Sequence, residues 1–336
     1  MDSRDPALDS VTHAEIVANL REKLRSLYVF PDVAEQVCAR LDKGLQSGRY
    51  ASIADGNHLA QALTEDLQYA NSDEHLWIRY VEEPLPEAKG SLLQNEERVK
   101  AFRQRAVLDN YGIHKVERLR GNVGYIDIHH FCRPSWGSGD TAVAAMTFLA
   151  NTHALIVDLR QCGGGNPGMV ALISTYLFDG EPILLNSLYW RDGDRTQQYW
   201  TLPHVSGKRY GDKPVYVLIS HTTFSAGEEF AYNLQTRQRA TLIGETTAGG
   251  AHPGSPHRVH AHFEAFIPSG RAINPITGKD WEGVGVEPDV AVSQEEALGV
   301  AYRMALESVV ETIGEAAHGP LKALREEARE ALLDSH

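Results

Sequence analysis

The stretch Lys213-Pro-Val-Tyr-Val-Leu-Ile-Ser-His-Thr-Thr-Phe-Ser225-Ala-Gly-Glu-Glu229 sets the reading of the whole chain. Val215 to Ile219 is a short apolar, β-branched run behind a proline, the pattern of a buried strand. A polar turn follows from Ser220 to Thr223, and Ser225-Ala-Gly-Glu then opens a helical pattern with Phe230 and Leu234 on one face. Ser225 is therefore expected where a strand turns into a helix N-terminus, where backbone N–H groups and the helix dipole favour negative charge. A serine nucleophile gains from that position, because attack on a carbonyl creates an oxyanion beside it. The same residues also spell a capping box, with Ser225 as N-cap and Glu228 reaching back. Taken alone, the motif favours the plain cap; the motifs further along the chain are what raise the nucleophile reading.

Outward from this stretch the pattern is alternating. Strands are expected at Val123 to Ile128, Ala154 to Leu159, Ile183 to Tyr189 and Ala240 to Ile243, with helices at Thr141 to Ala150, Met169 to Phe178 and from Ala226. Such alternation argues for an α/β core with parallel strand pairs. Before it, Ile16/Leu20/Leu24/Leu27, Val33/Val37/Leu41/Leu45 and Leu59/Leu63/Leu67 mark three helices, a bundle of about seventy residues. A strand then begins with Leu76, Ile78 and Tyr80, with His75 at its mouth. Residues 82–105 read as a linker with an exposed helix. After Gly249 the chain is rich in strands and turns up to Val292, and two helical patterns close it. The last, Leu321 to Leu333, is amphipathic and reads as a packing or dimerising helix.

Composition limits the function classes. The 336 residues are 42% hydrophobic and 23% charged, with a formal net charge of −13. That balance argues against nucleic acid as a partner. Cys38, Cys132 and Cys162 lie far apart and form neither a disulfide framework nor a zinc pattern, which suits a reducing compartment. The charged start Met1-Asp-Ser-Arg-Asp-Pro6 is followed by no apolar leader, and no stretch is long enough to cross a bilayer. As written, the chain is expected to be soluble and cytoplasmic, with no membrane partner; a trimmed leader would change that expectation.

Two further loops carry chemistry. Asp158-Leu-Arg-Gln-Cys-Gly163-Gly164-Gly165-Asn-Pro-Gly168 joins a buried strand to a helix. Its glycines suit close backbone approach to a ligand, an oxyanion hole or a tight turn. The spacings of dinucleotide- and nucleotide-phosphate loops are absent. Gly270 to Asp289 is a turning loop in which Glu282 sits between Trp281 and Gly283. An acid there can orient a histidine, or remain a solvated loop carboxylate. His75 is likewise either a turn residue or a base.

Taken together, Asp158-Leu-Arg with its glycine cluster, Ser225-Ala-Gly-Glu228, Gly244-Glu-Thr-Thr-Ala-Gly-Gly250 and Glu282-Gly-Val-Gly-Val-Glu-Pro-Asp289 resemble the S41 serine peptidases. That family includes the C-terminal processing (tail-specific) proteases, the tricorn core protease and the interphotoreceptor retinoid-binding protein modules. The resemblance spans about residues 70–292 and rests on four ordered motifs. Gly249-Gly-Ala-His-Pro253 and Trp281-Glu-Gly-Val-Gly-Val286 look most like the retinoid-binding-protein branch. It implies a ClpP/crotonase-like ββα-spiral core with an N-terminal helical bundle and C-terminal helices. By the same resemblance Ser225 matches the nucleophile, and Gly164 and Ala226 match the oxyanion-hole positions. The lysine that serves as base in the tail-specific branch falls on Gly250 here, so a Ser-Lys dyad is not expected. The tricorn branch takes a histidine and a glutamate instead, which match His75 and Glu282. The implied activity is hydrolysis of peptide, or related amide or ester, bonds through a Ser225–His75–Glu282 triad and an acyl-enzyme, without a cofactor. The alternative is a non-catalytic module of the same fold that binds an apolar, retinoid- or fatty-acid-like ligand. Acyl-CoA chemistry would need a basic nucleotide site that the sequence lacks.

Auxiliary candidates are Glu228, expected to cap or orient, and two rival bases, His252 and His221, ranked lower because neither has a matching acid. His257, His260 and His262 raise a metal site, with 260 and 262 expected on one strand face. No Cys or Asp pattern completes it, so no metal is expected. About forty residues separate Val81 from Val123, too few for a PDZ domain near the lower domain limit of about fifty residues. The expected partition is a bundle over 1–72, a strand and linker over 73–120, an S41-type core over 121–308 and an amphipathic helix over 309–336, with homo-oligomer formation through the terminal helices.

Overall fold

The computed structural model describes residues 8–70, 72–87 and 90–334; the charged start, residues 1–6, lies outside them. The chain forms two compact units that interleave along the sequence. One comprises Met1–Phe102, Leu188–Gln197 and Gly250–Ala272; the other comprises Arg103–Ser187, Gln198–Gly249 and Ile273–His336.

In the first unit, the three expected helices are Ser10–Leu27, Pro31–Gln46 and Gly56–Gln68. Each starts where its sequence says it should. Asp9 and Asp55 accept the N–H groups of Thr12 and His58, and Pro31 occupies the first turn of the second helix. Their apolar stripes pack with an antiparallel sheet in the order Trp77–Tyr80, Phe263–Pro268, Gly254–His260. Phe263, Ala265 and Ile267 alternate inward from the middle strand and join Leu20, Leu41 and Leu63 in one core. This is why residues 250–272 belong with the N-terminal helices. A linear partition cuts through that core, because the strands that complete it come from late in the chain.

The second unit is built on a six-stranded sheet, ordered Val290–Ala291, Thr241–Gly244, Val215–Ile219, Ala154–Asp158, Val123–Ile128, Ile113–Leu119. All neighbours are parallel except the last pair, which forms a hairpin. The α/β core with N-terminal and C-terminal helices is thus present. Helix Gln294–Ile313 lies on the sheet through Ala297, Ala301, Ala305, Leu306 and Val309, which pack with Ile156, Leu218 and Ile243. Alanines at that spacing let the helix backbone approach the strands. Helix Pro320–Asp334 buries Ala328 and Ala331 in the same cluster, which uses its inner face for packing. Two strands absent from the sequence reading, Ile113–Leu119 and Arg195–Trp200, are polar and largely exposed, so they carry no period-2 alternation. Among the described residues no helix is long and apolar enough to cross a membrane.

On the middle strand of the first unit, Glu264 is 0% exposed. Arg98 meets it in a fork at 2.7 and 3.0 Å, and Arg79 adds a second guanidinium. Burial by itself would raise this carboxyl, but the Arg98 and Arg79 contacts outweigh it and hold it below the usual range. The stabilisation is therefore present above the unfolded-state carboxylate range and lost as pH falls through the depressed folded value. Glu264→Gln should cost about 3–5 kcal/mol at neutral pH and should flatten the acid side of the stability–pH curve. Chemical denaturation from pH 3 to 7 checks both.

Candidate active site

The strand Val215–Ile219 is buried along its length, and the turn after it is stitched to the segment that follows the neighbouring strand. Thr223 Oγ1 donates to the Leu159 carbonyl (2.8 Å), Ser220 Oγ to that of Arg160 (2.7 Å), and the Phe224 N–H to that of Cys162 (2.9 Å). Ser225 then stands at φ 53°, ψ −115° immediately before helix Ala226–Thr236. The capping residues Asp9, Asp55 and Ser293 are all extended, with φ from −62° to −97°, as N-caps ordinarily are. Ser225 instead takes the mirror-image turn conformation that favours glycine. The capping box is present: the Glu228 carboxylate accepts the Ser225 N–H at 2.7 Å, and the Ser225 side chain accepts the Glu228 N–H. The serine backbone, however, is that of a strained strand-to-helix elbow, which exposes a hydroxyl at the turn.

The glycine cluster lies against this elbow. Gly163 N–H donates to His129 and the Gly164 carbonyl accepts from Phe131, which fixes the loop. Gly164 has φ 106°. A Cβ built on it would come within 2.8 Å of Ser225 Cβ and 3.4 Å of the Ala226 nitrogen. Only glycine permits that approach, so Gly164, Ser225 and Ala226 are neighbours, as expected.

Glu228 is 0% exposed and ties three segments together. Besides Ser225, it accepts Thr247 Oγ1 (2.6 Å) and the Gly249 N–H (2.7 Å). Thr247 Oγ1 in turn accepts the Val286 N–H, and the Gly249 carbonyl accepts the Gly283 N–H. The loop carrying Glu282 is thereby fastened to the Ser225 turn through one carboxylate. Glu282 itself is half-buried, its N–H donating to Asp280 Oδ1, beside Trp281 packed on Tyr232.

The next residue, Glu229, escaped the sequence reading. It is buried in helix Ala226–Thr236, with Asn186 and Asn233 near its carboxyl. Burial pushes its pKa up to about 8, although both amides oppose the shift. It is a neutral acid at pH 7, and nothing in Glu228-Glu229 tells the two carboxyls apart.

His75 belongs to the other unit, as does His252. His75 is buried, its ring tilted over Phe266 at 5.8 Å, and its N–H donates to Asp73 Oδ1 (3.1 Å). Burial depresses its pKa to about 4, helped by His252 and opposed by Asp73. His252 is also buried and does have an acid partner: its Nδ1 lies 2.8 Å from Asp73 Oδ2. The motifs give no sign of that partner. The missed signal was Asp73, two residues ahead of His75. His221 is 64% exposed and pairs with Glu245. The expected sharing of one strand face by His260 and His262 fails, because the strand ends at His260 and turns. His262 stacks on Tyr80 and donates Nδ1–H to Val81, whereas His257 Nε2 meets Ser255 Oγ.

Comparisons with known proteins identify the family. The family model described as peptidase family S41 matches residues 122–292. The N-terminal domain of that family in eukaryotic IRBP matches residues 10–107. A tail-specific protease of Haemophilus influenzae is 36% identical over 103 residues, 29% of this chain and 13% of that protein. A carboxy-terminal-processing protease of Bartonella bacilliformis is 26% identical over 190 residues, 53% of this chain and 40% of that one. The chain thus spans less than half the length of these relatives. A lipoprotein structure from Streptococcus agalactiae superposes with a TM-score of 0.55 at 15% identity, covering 91% of this chain and 99% of that one. It shares the fold.

Glu229 gives a stability test of the elbow helix. A folded pKa raised above the unfolded value means that stability is full below the ordinary carboxyl range and is lost as pH rises toward about 8. Glu229→Gln should therefore match wild type near pH 4 and exceed it by a few kcal/mol at pH 8. Urea titrations at the two pH values read the difference.

Proposed function

The chain belongs to peptidase family S41, and on that premise we propose that it is a serine peptidase acting on peptide, or related amide and ester, bonds. Ser225 is the nucleophile. Its Oγ attacks the scissile carbonyl carbon while its proton passes to the His75 imidazole, and Glu282 orients that ring and favours its charged form. The N–H groups of Gly164 and Ala226 hold the oxyanion; removing one such donor costs about 2.7–4 kcal/mol in the barrier. The imidazolium then protonates the leaving amine, an acyl-enzyme remains on Oγ, and water attacks it with His75 again accepting the proton.

The observation that carries this reading is the Ser225 backbone at φ 53° beside a glycine that tolerates no side chain. A helix cap needs neither feature, whereas a nucleophile with an adjacent oxyanion hole needs both. The lysine position is Gly250, which supports a histidine as the proton acceptor. With burial holding its pKa near 4, His75 is neutral throughout the physiological range, and Glu282 would have to raise its basicity as the proton arrives.

A fluorophosphonate probe should label Ser225, and labelling should vanish in Ser225→Ala and fall steeply in His75→Ala. The acid limb of kcat/KM should lie near pH 4, below the ordinary histidine value of about 6.5. Labelling that survives His75→Ala unchanged would assign the base elsewhere. A folded chain whose Ser225 never labels would leave only the apolar-ligand module.

A further inference from the structure

Asp73 is a buried acid to which the chemistry above gives no task. It is 0% exposed, and its two oxygens reach three segments. Oδ1 accepts the backbone N–H of His75 at 3.1 Å. Oδ2 accepts the Tyr28 hydroxyl at 2.8 Å and faces His252 Nδ1 at 2.8 Å. Tyr28 closes the first helix, His252 follows the Gly249-Gly250-Ala251 loop, and His75 opens the strand Trp77–Tyr80. Asp73, Tyr28, His75 and His252 all lie within one compact unit.

For stability alone such a group is a poor solution. Burying a carboxylate and its partner costs several kcal/mol in desolvation, and apolar residues of similar volume often do as well or better. What the carboxylate adds is orientation. Facing Asp73, the Nδ1 of His252 carries the hydrogen, so the lone pair of the neutral ring sits on Nε2. Aromatic walls finish the job: His252 stands edge-on to Phe30 at 5.2 Å, and His75 tilts over Phe266 at 5.8 Å. The charged groups acting on His75 within this unit are Asp73, which favours the imidazolium, and His252, which opposes it.

We propose that Asp73 is a positioning residue for both imidazoles: it anchors the backbone that presents His75 and locks His252 as a second, oriented imidazole serving the same reaction. The inference rests on the serine peptidase reading and extends it. It also gives a use to the loop whose lysine position is Gly250, since His252 lies two residues beyond that position.

The test uses the full chain with three variants. Asp73→Asn keeps one oxygen to accept the His75 N–H, turns an NH2 toward Tyr28 and His252 in place of the second oxygen, and removes the charge; His252→Gln removes the second imidazole; Tyr28→Phe removes a contact of Asp73 that touches neither ring. The first two should lower kcat by about 10- to 100-fold with KM within about twofold, while retaining cooperative melting. Tyr28→Phe should stay within about twofold of wild type. In the wild-type imidazole NMR spectrum, the His252 Nδ1 proton should be shifted strongly downfield, and Asp73→Asn should abolish that signal. A folded Asp73→Asn or His252→Gln chain with wild-type kcat overturns the proposal, as does an equal loss in Tyr28→Phe. If Asp73→Asn does not fold, His252→Gln decides alone. If wild type never acylates Ser225, the peptidase reading falls, and the His252 Nδ1 signal still decides whether the pair exists.

Discussion

The unit that carries Ser225 depends on one backbone constraint, the holding of that residue in a conformation that residues with a Cβ avoid. Such a residue costs about 1–3 kcal/mol and persists only where its surroundings over-determine it. Here they do. The Glu228 carboxylate fixes the Ser225 N–H, the Ser225 carbonyl accepts the first intrahelical bond from Glu229, and Phe224 is tied to Cys162. Behind these lie a buried parallel strand and a helix whose inner residues, Phe230 and Leu234, are fully buried. The absence of a side chain at Gly164 then allows a second backbone segment to lie against the same serine.

Neighbouring carboxylates are put to different uses by their surroundings. Three donors converge on Glu228, so its carboxyl group organises the Ser225 turn and the loop that carries Glu282. Glu229, one residue on, meets burial and two neutral amides, and its proton stays on into mildly alkaline pH. Glu264 is held by two guanidinium groups, and Asp73 by a phenol, an imidazole and a peptide N–H. Burial is common to all four, and the donors within reach differ: guanidinium groups hold Glu264 below the usual range, whereas two amides do not offset burial at Glu229.

Elements whose cores are local were legible in the sequence. The helices with clear apolar stripes and the β-branched strands Val215–Ile219 and Ala154–Asp158 stand where periodicity puts them. The glycines beside Ser225 were legible too, because close approach leaves a compositional mark. The interleaving of the two units was not, since Phe263, Ala265 and Ile267 carry no sign of which helices they will meet. Nor was the Asp73–His252 pair, whose members lie 179 residues apart. The polar edge strand Ile113–Leu119 failed for a simpler reason, having no buried face to announce it.

The strain at Ser225 is the claim on which the rest depends, and the relative stability of Ser225→Gly and Ser225→Ala measures it directly. Neither variant retains the hydroxyl, so the comparison isolates the backbone. At an unstrained position glycine would be the less stable by about 0.4–1 kcal/mol, through the entropy of the unfolded chain. The account predicts the reverse order, with Ser225→Gly the more stable by about 1 kcal/mol, because relief of about 1–3 kcal/mol of strain outweighs that entropy. Denaturation curves in which Ser225→Ala is the more stable variant would contradict it.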